Sequence, residues 1–142
     1  MDEAGCIGSR GRVARAAAAL VGARFRLHGR EAAGGLDCVG VVAVALRAAG
    51  FVGVVPSGYA LRGGRPERVV AMLDAVLARV RAAVAGDVLL FAVGPGQLHL
   101  AVKTADGIIH ADAMLRRVVA RPGEAPWPLI GAWRFDGTIR GE

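Results

Sequence analysis

The sequence predicts an α+β fold in which N-terminal helices pack on an antiparallel sheet of about five strands. Three observations carry this. The chain has 142 residues, 54% of them apolar and 21% charged, enough for one domain with a proper core. Its first part repeats apolar residues at helical spacing. From Asp87 onward it breaks into short apolar runs divided by Gly-Pro-Gly, Ala-Asp-Gly and Arg-Pro-Gly-Glu-Ala-Pro-Trp-Pro turns. Helices first and strands later, joined by short connections, give a helical layer on an antiparallel sheet.

Each element has a local cause. Residues 1–11 read as a flexible lead-in containing Cys6. The alanine-rich segment from Arg12 to Val21 forms a first helix stopped by Gly22. Phe25 to Leu36 is a loop. Asp37 is an N-cap residue whose carboxylate can take the orphan N–H of Val39 or Gly40. Leu36, Val39, Val42, Ala43, Leu46 and Ala49 then recur at helical spacing up to Gly50, which predicts a largely buried helix. Phe51 to Arg65, with Pro56 and Tyr59, is an irregular connection. Pro66 opens a third helix with the stripe Val69, Val70, Leu73, Val76, Leu77 and Val80, expected to end before Gly86. Strands follow at Val88 to Val93, Leu98 to Lys103, Ile108 to Ala111, Val118 to Ala120 and Leu129 to Phe135. Asp87 is a turn acid at the start of the first, and Trp127 and Trp133 are sheet-edge and core packing. A single domain spans residues 12–135, and 136–142 form a tail.

The chemistry converges on Cys38. At the first turn of a capped helix, after Gly34 and Gly35, the helix dipole and free N–H groups favour a thiolate. Against this stands the ordinary fate of a lone cysteine as a small buried apolar residue. A cysteine nucleophile needs a base, and the chain has three histidines, His28, His99 and His110. If residues 104–107 form a four-residue loop, Lys103 faces Ile108 and Ala101 faces His110. That register puts His99 diagonally across from His110 on one face, near enough for the rings to meet. His99 would then take the thiol proton and His110 would orient His99, whereas each histidine could also be a sheet residue satisfied by a carbonyl. Zinc on Cys38, His99 and His110 is open by ligand type, but no short-spaced ligand pair supports it, and no cofactor is expected.

Acids and bases number 12 and 18, for a net charge of +6, and Lys103 is the one lysine. The arginines are scattered and the aromatics isolated, which argues against nucleic acid and leaves the charge as weak evidence for an anionic partner. No signal peptide and no run of membrane-span length is visible, so no membrane partner is expected. Synthesis in the cytoplasm follows from this reading. A disulfide framework is not indicated.

Several blocks together resemble a family. They are Gly22-Ala23-Arg24-Phe25-Arg26-Leu27-His28-Gly29-Arg30, Gly35-Leu36-Asp37-Cys38-Val39-Gly40, Gly86-Asp87-Val88-Leu89-Leu90-Phe91, His99-Leu100-Ala101-Val102 and Gly107-Ile108-Ile109-His110-Ala111. In this order they resemble the NlpC/P60 cysteine peptidases, most closely the phage and gene-transfer-agent branch, over about Arg12 to Phe135. The resemblance implies a papain-like core, a Cys38–His99–His110 triad, and hydrolysis of peptidoglycan stem peptides, typically between D-γ-glutamyl and diaminopimelate. It further implies a phage-like particle with tail-hub or tail-tip partners, acting on the cell wall in the periplasm.

Two substitutions bear on substrate binding. Phe25 stands where many members have tyrosine, and Val39 where many have serine. Asp37 could hold a free substrate amine or only cap the helix, since both uses compete for the same oxygens. His28 stands where glycine is common and reads as a loop or packing residue. An amidase or acyltransferase on the same scaffold, or a catalytically weak structural module of a tail tip, are the alternatives.

Overall fold

The computed structural model describes residues 8–55, 61 and 65–137. Cys6, Tyr59, most of the lead-in and most of the tail lie outside them. Helix α1 is Ser9–Ala19, a two-stranded hairpin joins β1 (Arg30–Glu31) to β2 (Gly35–Leu36), and α2 is Cys38–Ala48. Helix α3 is Pro66–Val76, followed by β3 (Ala78–Val80), β4 (Val88–Gly94), β5 (Gln97–Lys103), β6 (Gly107–Asp112), β7 (Arg117–Pro122) and β8 (Leu129–Arg134). The last six strands form one antiparallel sheet in the order β3-β8-β4-β5-β6-β7. The class is α+β, with three helices among the described residues.

Two helix boundaries and the strand count differ from expectation, and the expected loop from Phe25 to Leu36 holds the β1–β2 hairpin. α1 begins at Ser9, inside the expected lead-in, because its first turn has long-range partners. The Ser9 hydroxyl accepts the Gly137 N–H at 2.7 Å, and the Arg10 carbonyl sits against Gly86, where any Cβ would collide with it. The third helix stops at Val76 rather than running towards Gly86. Residues 78–80 leave it to pair with Ala132, Trp133 and Arg134, which supplies the sixth strand beyond the expected five. An open sheet edge offers ladder hydrogen bonds that helix propensity does not outweigh. Trp133 locks the junction, fully buried, with its indole N–H on Asp74 Oδ1 at 2.8 Å.

The sheet has two unlike faces. Val88, Leu90, Leu98, Leu100, Val102, Ile109, Ala111 and Val118 face α1 and α2, where Val13, Ala17, Leu36, Val39, Val42 and Leu46 complete the main core. The alternate residues Leu89, Phe91, Ala101, Ile108 and Ala132 form a smaller cluster on the far face, covered by Ala125 and Trp127. Period-2 alternation thus supplies both layers.

A candidate cysteine–histidine site

The site starts at a knot of close backbone contacts. Gly35 has φ +119°, a conformation L side chains avoid, and a Cβ on Gly29 or Gly40 would collide with the Gly35 or Gly29 carbonyl respectively. The loop before α2 therefore lies directly on the helix's first turn. This brings three donors onto Asp37: the Gly40 N–H at 2.9 Å and Arg30 Nη1 at 2.8 Å on Oδ1, and the His28 N–H at 2.7 Å on Oδ2. Asp37 is the expected cap, and it also closes the β1–β2 hairpin through Arg30. His28 itself takes φ +63°, a left-handed conformation that glycine adopts more readily than histidine.

With Asp37 in place, Cys38 is the first residue of α2. It lines a cleft of about 300 Å³ with Phe25, Leu27, Asp37, Leu61, Gln97, Leu98, His99 and Ala111. The cleft exists because β5 and β6 part company. Their ladder pairs Lys103 with Ile108 and Val102 with Ile109 and goes no further, although both strands continue. At that end of β5 a backbone hydrogen bond from Leu100 reaches Cys38.

That ladder has the four-residue-loop register, and the two histidines meet on the far face. His99 Nε2 lies 2.8 Å from His110 Nδ1, with the rings nearly perpendicular. This leaves His99 Nδ1 as the ring nitrogen not engaged with His110. The Trp127 ring packs 5.3 Å from His99 and 5.6 Å from His110, roofing the pair. His110 is buried, and its Nε2 has no hydrogen-bond partner among the described residues.

The electrostatics favour neutral resting groups. Burial pushes the Cys38 thiol up to about 11, and the Asp37 charge adds to this. The Leu100 and Val39 amides and Arg30 act in the opposite direction without overcoming it. Burial, then the charge of His110, pushes His99 down to about 4. Burial also lowers His110, with Arg121 adding to the effect and Asp112 opposing it. The helix dipole alone suggested a thiolate, whereas desolvation decides the ground state.

Of the sequence-predicted site residues, Cys38, Asp37, Phe25 and His99 line one cleft and His110 stands behind His99. Val39 does not join them. Its side chain is buried in the main core, because position two of α2 turns inward, so it is corrected from substrate contact to packing. Sequence reasoning missed Arg30, Leu100 and the contact of Trp127 with both rings. Among the described residues, no group of three His, Cys, Asp or Glu side chains could hold a metal ion.

The fold that carries this site has counterparts among solved structures. NlpC1 from Trichomonas vaginalis superposes over 90% of this chain and 44% of its own, with a TM-score of 0.71 at 18% identity. The fold is that of the NlpC/P60 proteins. The P60 domain of a Mycobacterium avium subspecies paratuberculosis antigen matches 89% of this chain and 93% of its own, with a TM-score of 0.59 at 19% identity. The peptidoglycan hydrolase RipB from Mycobacterium tuberculosis matches 90% and 65%, with a TM-score of 0.58 at 21% identity. The chain spans less than half the length of the two Trichomonas proteins it resembles, NlpC1 and NlpC2. No protein-family model matches the sequence, and no curated protein matches it significantly.

Proposed function

We propose that this chain is an NlpC/P60 cysteine peptidase that hydrolyses peptidoglycan stem peptides through Cys38, His99 and His110. The observation that carries the reading is the 2.8 Å His99–His110 contact beside a cleft shared by His99 and a helix-starting cysteine. The peptidoglycan hydrolase among the solved structures of the same fold supports the substrate class.

With both groups neutral at rest, His99 works as a general base rather than as half of a preformed ion pair. As Cys38 Sγ attacks the scissile carbonyl, its proton passes to His99 Nδ1. The His99 Nε2–H donates to His110 Nδ1, which fixes the tautomer and steadies the developing imidazolium. The carbonyl oxygen becomes an oxyanion near the first turn of α2. There the Cys38 amide has no intrahelical acceptor and the dipole favours negative charge. Collapse breaks the C–N bond, the Nδ1 proton goes to the leaving amine, and a thioester remains on Cys38. Water then attacks the thioester, with His99 taking its proton and returning it to the thiol.

The bond we assign is D-γ-glutamyl to diaminopimelate. The setting we assign is a phage-like tail of the gene-transfer-agent kind, with tail-hub or tail-tip partners and action in the periplasm. The test is incubation with purified peptidoglycan and mass identification of the fragments. The expected product pair ends at D-glutamate and begins at diaminopimelate, and Cys38→Ala abolishes it. Turnover that persists in Cys38→Ala overturns the mechanism, and intact wall peptides overturn the substrate.

A further inference from the structure

Trp127 has the histidine pair on one side and an open pocket on the other. Its ring centroid lies 5.3 Å from that of His99 and 5.6 Å from that of His110, in edge contacts at 68° and 75°. It also lines a pocket of about 470 Å³ on the far face of the sheet, with Phe91, Ile108, Ala125 and Leu129. Neither histidine reaches that pocket, although Phe91 is the ladder partner of His99 and Ile108 stands two residues before His110 on the same face of β6. Among these pocket walls, Trp127 is the side chain whose ring lies against both imidazoles.

Sequence and fold together hold the indole there. Pro126 and Pro128 flank it and restrict the backbone on either side. The Ala92 N–H bonds the Pro128 carbonyl at 3.0 Å, which ties the segment to the end of β4. Phe91 meets the Trp127 ring edge-on at 5.6 Å, and the Arg121 guanidinium lies 6.0 Å from its centroid. The titratable and charged groups around the pair are Cys38 and Asp37 from α2, Asp112 from β6 and Arg121 from β7, with Glu124 in the Trp127 segment. Asp112 favours the charged form of both rings and Arg121 disfavours that of His110, but burial outweighs each of them. What covers the rings therefore matters more than the charges nearby.

We infer that Trp127 is a positioning residue for the base, its indole holding the His99 and His110 rings together and keeping the water of the neighbouring pocket away from them. The inference rests on the peptidase reading for the role of His99 as base. An imidazole shielded in this way stays neutral as pH falls and remains able to accept the thiol proton.

The test follows the titration of the histidine rings by NMR in the resting full chain, with His99 assigned from His99→Gln. In wild type His99 stays neutral down to about pH 4. In Trp127→Ala its midpoint should rise by about one unit or more towards the ordinary value of about 6.5, and the acid limb of kcat/KM should rise with it. Trp127→Phe keeps an apolar ring and should leave both close to wild type. Leu129→Ala enlarges the same pocket on the other side of Phe91 from His99 and should move neither. Should Trp127→Ala not fold, Trp127→Gln carries the same test, since it keeps bulk but brings a polar group to the rings. An unmoved His99 midpoint in Trp127→Ala or Trp127→Gln overturns the inference, as does an equal rise in Trp127→Phe or Leu129→Ala. A wild-type chain that leaves peptidoglycan intact overturns the peptidase reading, while the ring titration still decides whether Trp127 shields the pair.

Discussion

Asp37 at the head of α2 and Asp87 at the start of β4 are both buried, both paired with an arginine, and both accept an amide three residues away in sequence. Asp37 takes the Gly40 N–H and Arg30, whereas Asp87 takes the Val84 N–H and a two-pronged contact from Arg134 at 2.9 Å on each oxygen. Their neighbours differ. Asp87 ties an early turn to the last strand, 47 positions on, and touches no reactive group. Asp37 adjoins Cys38, and its charge opposes the thiolate. The same buried ion pair therefore serves stability at one end of the molecule, while at the other it fixes a nucleophile's position at the expense of its ionisation.

The largest effect that would break this likeness is in stability. Asp87→Ala leaves the Val84 amide unpaired and Arg134 without its acid, and breaking a buried pair in this way costs about 3 kcal/mol or more. Urea unfolding should show that loss, while Cys38 alkylation in the remaining folded protein proceeds at the wild-type rate. Asp37→Ala removes a cap and frees the Arg30 side chain, for a smaller loss of about 2 kcal/mol. A larger loss for Asp37→Ala than for Asp87→Ala would invert these roles.

A second comparison is between these acids and the two histidines, His110 buried and His99 half-buried, neither with a countercharge in direct contact. Both histidines have folded-state values below the unfolded value of about 6.5, that of His99 being about 4. Between those limits the unfolded chain binds more protons, so stability is fully present above about pH 6.5 and falls as pH drops towards about 4. Melting temperature should decline across that window, and less steeply in His99→Gln. In the same window kcat/KM should hold down to an acid limb well below pH 6, because the base stays neutral there. An acid limb near pH 6.5 would mean that His99 is solvated in the working enzyme.

What the sequence made legible was local or periodic. The Asp37 cap, the buried stripe of α2 and the His99–His110 pairing follow from i+3 geometry and strand parity, which need no knowledge of distant residues. Strand β3, the early start of α1, Trp127 over the histidines and Arg30 on Asp37 were hidden because each depends on a partner brought in by folding. The stripe through Val76, Leu77 and Val80 is equally good on a helix or a short strand, and the free edge of β8 decides it. Val39 was misplaced because a change from serine to valine after the cysteine reads as lost chemistry, while the residue faces the core.

The smallest effect isolates the electrostatic part of the first comparison. Asp37→Asn keeps a side-chain oxygen for the Gly40 amide, but its NH2 cannot accept the His28 N–H held by Oδ2, so stability should fall by about 1 kcal/mol, less than in Asp37→Ala. What disappears is one negative charge beside the thiol, while Arg30 remains with its positive charge no longer matched. Both changes stabilise the thiolate, so the Cys38 pKa moves down from about 11. At pH 8 the rate of iodoacetamide alkylation follows the thiolate fraction, and a thiol pKa lower by about 0.5 makes the reaction about three-fold faster. Asp87→Asn, with the same charge removed at the other end of the chain, should leave that rate unchanged. If Asp37→Asn slows alkylation instead, the carboxylate acts on Cys38 mainly by holding the helix start in place, and positioning rather than charge accounts for its influence on the thiol.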